Sequence, residues 1–339
     1  MKTSKNVLMV MFAVASMIFA TQVAAQDEEE DESLQISGSV DAYYKYDFSG
    51  KANQPTWFMT DQNSMSIGMV NVVLSQTKGK VTFVGDVAFG PRGDGSGDVS
   101  GAATAPGSIQ NLYVSYAAGE KLSFTAGFMG TFVGYEVISP SANFNYSGSY
   151  LFSNGPFQNA GFKADYAISD KVGVMVGAFS SAWDSYTANP SLGMDNIGAQ
   201  LSVAPVDGWD IYLNYLGGSL FQQWDVTTGY QISDPLYLGL NVSENLNYGG
   251  DETGFFGIAG YAQYAITDAT SLGVRYENFD DKDTATYSSF TFSLNIVEGP
   301  LTIIPEFRFD TADQDVFLDS DAAATDGFSQ FGIGLVYSF

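Results

Sequence analysis

Charged side chains recur two residues apart in this sequence, at Lys163 and Asp165, Arg275 and Glu277, and Glu306 and Arg308. Asp41 and Lys45 repeat the pattern at a spacing of four, and Asp86 stands alone. An even spacing puts both members of a pair on one face of an extended strand. Charges so placed could do three things. Two carboxylates such as Glu277 and Glu306 could share general acid–base work. The pairs Arg275–Glu277 and Glu306–Arg308 could stitch neighbouring strands together. All nine could set the field along a water-filled passage, as charged rings do in channels.

The catalytic option fits least. The chain has no His and no Cys, so Ser-His and Asp-His catalysis cannot be built, and zinc loses its two favoured ligands. No catalytic residue, cofactor or metal site is expected, and the chain reads as a non-enzyme. Nucleic acid is excluded as a partner, because 11 basic residues face 38 acidic ones after residue 25 and phosphate binding needs a basic surface.

The elements that must hold these charges are strands. In "GFSQFGIGLVYSF" (327–339), Phe331, Ile333, Leu335, Tyr337 and Phe339 alternate with Gln330, Gly332, Gly334, Val336 and Ser338. That period of two marks a strand with one apolar face. "LTIIPEFRFD", "WDIYLNY" and "LGVRYEN" repeat it. Sixteen such strands are expected, near 34–48, 64–77, 81–89, 109–118, 121–129, 157–168, 171–182, 195–204, 209–217, 222–232, 236–247, 255–266, 271–280, 286–297, 301–310 and 328–339. Short turns such as "KGK" (78–80), "SD" (169–170) and "EGP" (298–300) alternate with longer connections such as 90–108, 130–156, 183–194 and 311–327. Short turns at one end and long loops at the other describe an up-and-down antiparallel barrel.

A soluble sandwich would carry a charged exterior. Here charged residues are only 15% of the chain, and the polar strand faces carry mainly Ser, Thr, Gly, Asn, Gln and Tyr. Such faces suit a wet lumen, with the apolar faces turned to lipid and aromatic residues such as Trp209, Trp224, Tyr46 and Phe48 at the interfaces. The fold class is therefore all-β, a closed transmembrane β-barrel of about 16 strands. With each residue climbing ~2.5 Å, Arg275 and Lys163 fall inside the hydrocarbon span, where charges must be wet or paired.

Lys2 and Lys5 precede the apolar run 7–20, and Val23 and Ala25 suit the −3 and −1 positions of a signal peptidase site. Residues 1–25 read as a secretory signal, 26–33 as an acidic tail and 34–339 as the barrel.

The stretch 111–184, with its run "NYSGSYLFSNGP", resembles the β-barrel porin family of the OmpL-like type found in Gram-negative bacteria. The resemblance implies location in the outer membrane, contact with its lipid and lipopolysaccharide, and a pore for small polar solutes. Ile333, Leu335, Tyr337 and Phe339 are similar to the C-terminal signal that directs such barrels to the barrel-assembly machinery. The runner-up is a non-conducting barrel used as an anchor or adhesin.

Parity places Asp41, Lys45, Asp86, Lys163, Asp165, Arg275, Glu277, Glu306 and Arg308 on the lumen side, five acids against four bases. The overall acidity favours cations, but this lumen set is nearly balanced. The long loop 130–156 carries Glu136 as its one charge. It is a candidate constriction loop, with Asn143, Phe144, Asn145, Tyr146 and Tyr150 able to line a narrowed passage. "GPRGDGSGD" (90–98) reads as a mobile external loop, since it lacks the ending of a phosphate loop. The acidic run 310–326 could bridge lipopolysaccharide through divalent cations. The sequence leaves monomer and homotrimer open.

Overall fold

The computed structural model describes residues 33–94, 108–181, 186–187, 190–247 and 253–339. The expected signal segment, most of the acidic tail and residues 95–98 of the Gly-rich stretch lie outside the described residues.

The first eight strands are β1 (Gln35–Asp47), β2 (Ser64–Lys78), β3 (Val81–Phe89), β4 (Ile109–Ala117), β5 (Leu122–Gly130), β6 (Gln158–Ser169), β7 (Val172–Phe179) and β8 (Asn196–Val203). There follow β9 (Trp209–Gly217), β10 (Gln222–Ser233), β11 (Leu236–Asn247), β12 (Phe255–Thr267), β13 (Thr270–Asp281), β14 (Ala285–Glu298) and β15 (Leu301–Ala312). A small hairpin of β16 (Phe317–Leu318) and β17 (Ala324–Thr325) precedes the last strand, β18 (Gly327–Ser338). All but the hairpin form one closed barrel of sixteen strands, sealed by β1 against β18 with Val40 opposite Tyr337 and Tyr44 opposite Ile333. The expected strands are all present, and the largest boundary difference is three residues, at the end of β7.

Closure leaves no edge, so the ladders satisfy the strand backbone without water. The outer surface is what water would not tolerate. Leu112, Val114, Phe162, Trp224, Phe290, Phe307 and Phe309 are all exposed on it, a contiguous apolar band of the kind that lipid covers. No helix among the described residues is long and apolar enough to cross a membrane; the barrel crosses with strands.

The inner face is less polar than its parity pattern suggested. Phe255, Phe279, Tyr287 and Phe328 point inward and form a buried cluster with Tyr150 and Leu151 of the loop between β5 and β6. Tyr43, Ile304 and Val336 do the same with Met59 and Tyr146, and Met129, Phe179 and Leu216 with Val133. The interior thus holds packed core wherever a loop comes down to meet it.

Candidate functional site

The loop from residue 131 to 157 enters the barrel from the long-loop end. Away from solvent, its N–H and C=O groups need partners, and the inner wall supplies them. Glu306 on β15 accepts from Tyr146 N at 2.8 Å and Ser147 N at 3.2 Å. Glu277 on β13 accepts from Tyr150 N and Leu151 N, both at 2.7 Å. Those amides open the short helix Tyr150–Asn154, which Ser149 caps by accepting from Phe152 N. The loop carbonyls meet the wall's cations. Arg275 donates to Ser147 O at 2.8 Å, and Arg308 donates to Gly148 O at 2.8 Å. Three strands further round the wall from β13, Asp225 of β10 accepts from Gly134 N at 3.1 Å. Carboxylates hold the donors and guanidiniums hold the acceptors, which are the stronger, charge-assisted kinds of hydrogen bond.

Of the two readings of these charges, strand stitching is seen in part: Arg275 donates to Thr291 Oγ1 of β14 at 3.1 Å and Ser293 Oγ of β14 donates to Glu306 at 2.9 Å, while the ion pairs go elsewhere. Arg275 makes its ion pair with Glu136 of the loop, at 2.6 Å, and Arg308 with Asp310 two residues along β15, at 2.7 Å. Glu277 and Glu306 are left to accept the loop's N–H groups.

The other predicted wall charges divide into two groups. Asp41 sits where the β1–β2 register shifts between Val40 and Ala42. Gly68 opposite leaves room for it, since a Cβ there would stand 1.8 Å from the carboxylate. Asp41 accepts from Met69 N at 2.8 Å and from the Tyr146 hydroxyl. Burial raises the pKa of that hydroxyl far above the usual tyrosine range, so it stays a donor. Lys45 donates to Thr60 O at 2.8 Å. Both are buried beneath the loops, with Arg275, Glu277, Glu306 and Arg308. The second group is wetter. Asp86 is partly exposed and takes Asn71 Nδ2 and Asn111 Nδ2, each at 3.3 Å. Lys163 is partly exposed and lies 3.2 Å from Asp165.

The predicted loop residues occupy distinct places. Asn143 braces the loop internally, its amide bonded to the Val137 backbone. Asn145 donates to Ser293 Oγ on β14 at 2.7 Å. Phe144 fills the space over Gly273 and Tyr146 the space over Gly334, where added Cβ atoms would fall 2.1 and 2.3 Å from the rings. Tyr150 stacks on Tyr287 with centroids 4.7 Å apart.

Arg92 overturns a reading. Its segment was expected to be a mobile external loop, but Pro91–Asp94 forms a short helix with Arg92 only 3% exposed. Its guanidinium lies over the Phe58 ring at 3.6 Å and the Tyr146 ring at 4.7 Å, and pairs with Asp41 at 3.5 Å. Cation–π contact and a buried carboxylate together explain its burial. Asp225 was also missed. Its parity with Thr227 and Gly229 marks an inward position, and that signal was present in "QQWDVTTGY".

The inner wall is not covered all round. Along β2–β9, Thr77, Val84, Asp86, Tyr113, Ser115, Lys163, Gln200, Asp210 and Tyr212 face inward with partial exposure. On β13–β15 the inward row is buried from Gly273 to Phe279, Ala285 to Asn295 and Ile304 to Asp310.

Residues 33–339 match the family described as "Putative beta-barrel porin-2, OmpL-like". No curated protein matches the chain in sequence. Among solved structures, the outer membrane channel DcaP of Acinetobacter baumannii superimposes with a TM-score of 0.60 at 14% identity, over 93% of this chain and 100% of that one. OmpT, an outer membrane protein of Vibrio cholerae, gives 0.56 at 14% identity over 90% and 97%. An anion-selective porin from Comamonas acidovorans gives 0.58 at 12% identity over 91% and 99%. At these identities the likeness is one of fold.

Proposed function

We propose that this chain, which belongs to the OmpL-like β-barrel porin family and is an outer-membrane barrel, is a passive diffusion channel for small polar solutes, narrowed by the loop at 131–157. The observation that carries the reading is the fastening of residues 146–151 to β13–β15 across from a wall that stays partly exposed. Glu277, Glu306, Arg275 and Arg308 hold residues 146–151 against β13–β15, and the inward row of β2–β9 keeps its partly exposed polar side chains. A channel needs a polar wall open to water beside whatever constricts it. The constricting side chains in this reading are Asn143, Phe144, Asn145, Tyr146 and Tyr150, and the lining ones are Asp86, Lys163 and Asp165.

Family and fold point to a channel rather than an enzyme. The same reading takes residues 1–25 as the removed signal and 26–33 as a solvated tail. It takes Ile333, Leu335, Tyr337 and Phe339 as the insertion signal read by the barrel-assembly machinery. Trimer formation and lipopolysaccharide contact through the acidic run 310–326 belong to it as well. Conductance in a planar bilayer tests the channel. Discrete steps support it, and a folded, heat-modifiable barrel without steps would move the protein to the anchoring class.

A further inference from the structure

The nearly balanced set of lumen charges does not survive folding. Four cations point inward from the described strands: Lys45, Lys163, Arg275 and Arg308. Three of them are 0% exposed and committed, Lys45 to Thr60 O, Arg275 to Glu136 and Arg308 to Asp310. Lys163 keeps a side-chain exposure of 16%, but Asp165 stands 3.2 Å from its ammonium. Lys163, Arg275 and Arg308, each ion-paired, act on a passing ion as parts of dipoles, whose fields fall off faster than that of a free charge. Lys45, which has no carboxylate within ion-pairing distance among the described residues, is shut off from water.

The acids fare differently. Asp86 is partly exposed and its oxygens meet only the neutral amides of Asn71 and Asn111. Asp210, at the short-turn end of β9, is partly exposed beside Gly229 of β10, which has no side chain to cover it. Neither has a Lys or Arg within ion-pairing distance among the described residues. Asp225, buried on β10, is likewise satisfied by neutral donors, among them Gly134 N and the amides of Asn214 and Asn241. We infer that the passage selects small cations, inorganic or amine-bearing, over anions, and that Asp86 and Asp210 set the preference. The inference rests on the channel reading and adds its selectivity. In a passage narrowed by the loop, a permeating ion comes within about a Debye length, ~8 Å at physiological salt, of a wall carboxylate. The unpaired charge exposed there, on Asp86 and Asp210, is negative.

The test is the reversal potential of the protein, expressed from its full chain and extracted from outer membranes, in a planar bilayer under a potassium chloride gradient. The expected potential has the sign of cation selectivity. The double variant Asp86→Asn/Asp210→Asn should lower the potassium-to-chloride permeability ratio by roughly twofold or more, while discrete steps persist. The chain has no Cys, so Asp86→Cys offers a single thiol, and a cationic thiol reagent on it should push the ratio further down. Steps with an anion-selective potential, or a ratio unmoved by both variants, would overturn the inference and leave the channel reading standing. Absence of steps from folded wild-type barrel would overturn both.

Discussion

Glu306 on β15 accepts the backbone N–H of Tyr146, 160 residues earlier in the chain, at 2.8 Å. With Glu277 doing the same for Tyr150 and Leu151, two carboxylates hold residues 146–151 of the loop to the wall. A hydrogen bond to a charged group contributes ~1.5–3 kcal/mol. The double variant Glu277→Gln/Glu306→Gln keeps the shape, loses both charges and presents amide donors to backbone donors. Protease added outside cells should then cut within 138–151 about tenfold faster, with the barrel still heat-modifiable. An unchanged rate would contradict the role given to the two acids.

Gly273 and Gly334 are the hollows into which the Phe144 and Tyr146 rings fit. A methyl group at either overlaps a ring that is boxed in, and overpacking of this kind costs ~1–3 kcal/mol. Gly273→Ala and Gly334→Ala should each displace the loop and enlarge or destabilise the single-channel step. Steps of wild-type size and noise in both would show that the rings do not seat as described.

Arg92 ties its own connection to Phe58 of the β1–β2 connection, to Tyr146 of the β5–β6 loop and to Asp41 on β1. Removing one member of a buried ion pair costs ~3–5 kcal/mol, because the other is left uncompensated. Arg92→Ala should therefore lower the melting temperature in detergent, and adding Asp41→Asn should recover part of the loss. Strictly additive effects would mean the two residues are not coupled.

The strands were legible because a period of two needs no knowledge of what lies opposite. Phe307 and Phe309 read outward, and Glu306 and Arg308 inward, from ten residues of sequence. What the inward residues touch was not legible. Glu136 reaches Arg275 across 139 residues, and nothing local distinguishes that contact from a pairing with Glu277. The inward Phe279 and Phe328 pack in one core with Tyr150 and Phe317, partners that no local pattern reveals. Arg92 misled because Gly-rich flanks signal a loop correctly but say nothing of which way the loop turns.

Val114 and Ser115 are neighbours on β4 that face opposite sides, Val114 exposed outward and Ser115 bonded to Thr125 inside. An arginine near the lipid midplane costs ~2–4 kcal/mol, against little on the lumen side. Val114→Arg should weaken folding into vesicles by about that amount, and Ser115→Arg by much less. Equal losses would mean the outer face does not meet lipid.

The central claim is that a water-filled passage runs beside a loop whose residues 146–151 are fastened to β13–β15. Single-channel conductance of the wild-type barrel and of a variant lacking 138–150, recorded in the same bilayers, tests it most directly. Discrete wild-type steps and clearly larger ones from the deletion are predicted. Equal steps would mean the loop does not narrow the passage, and silence from a folded wild-type barrel would mean that there is no passage to narrow.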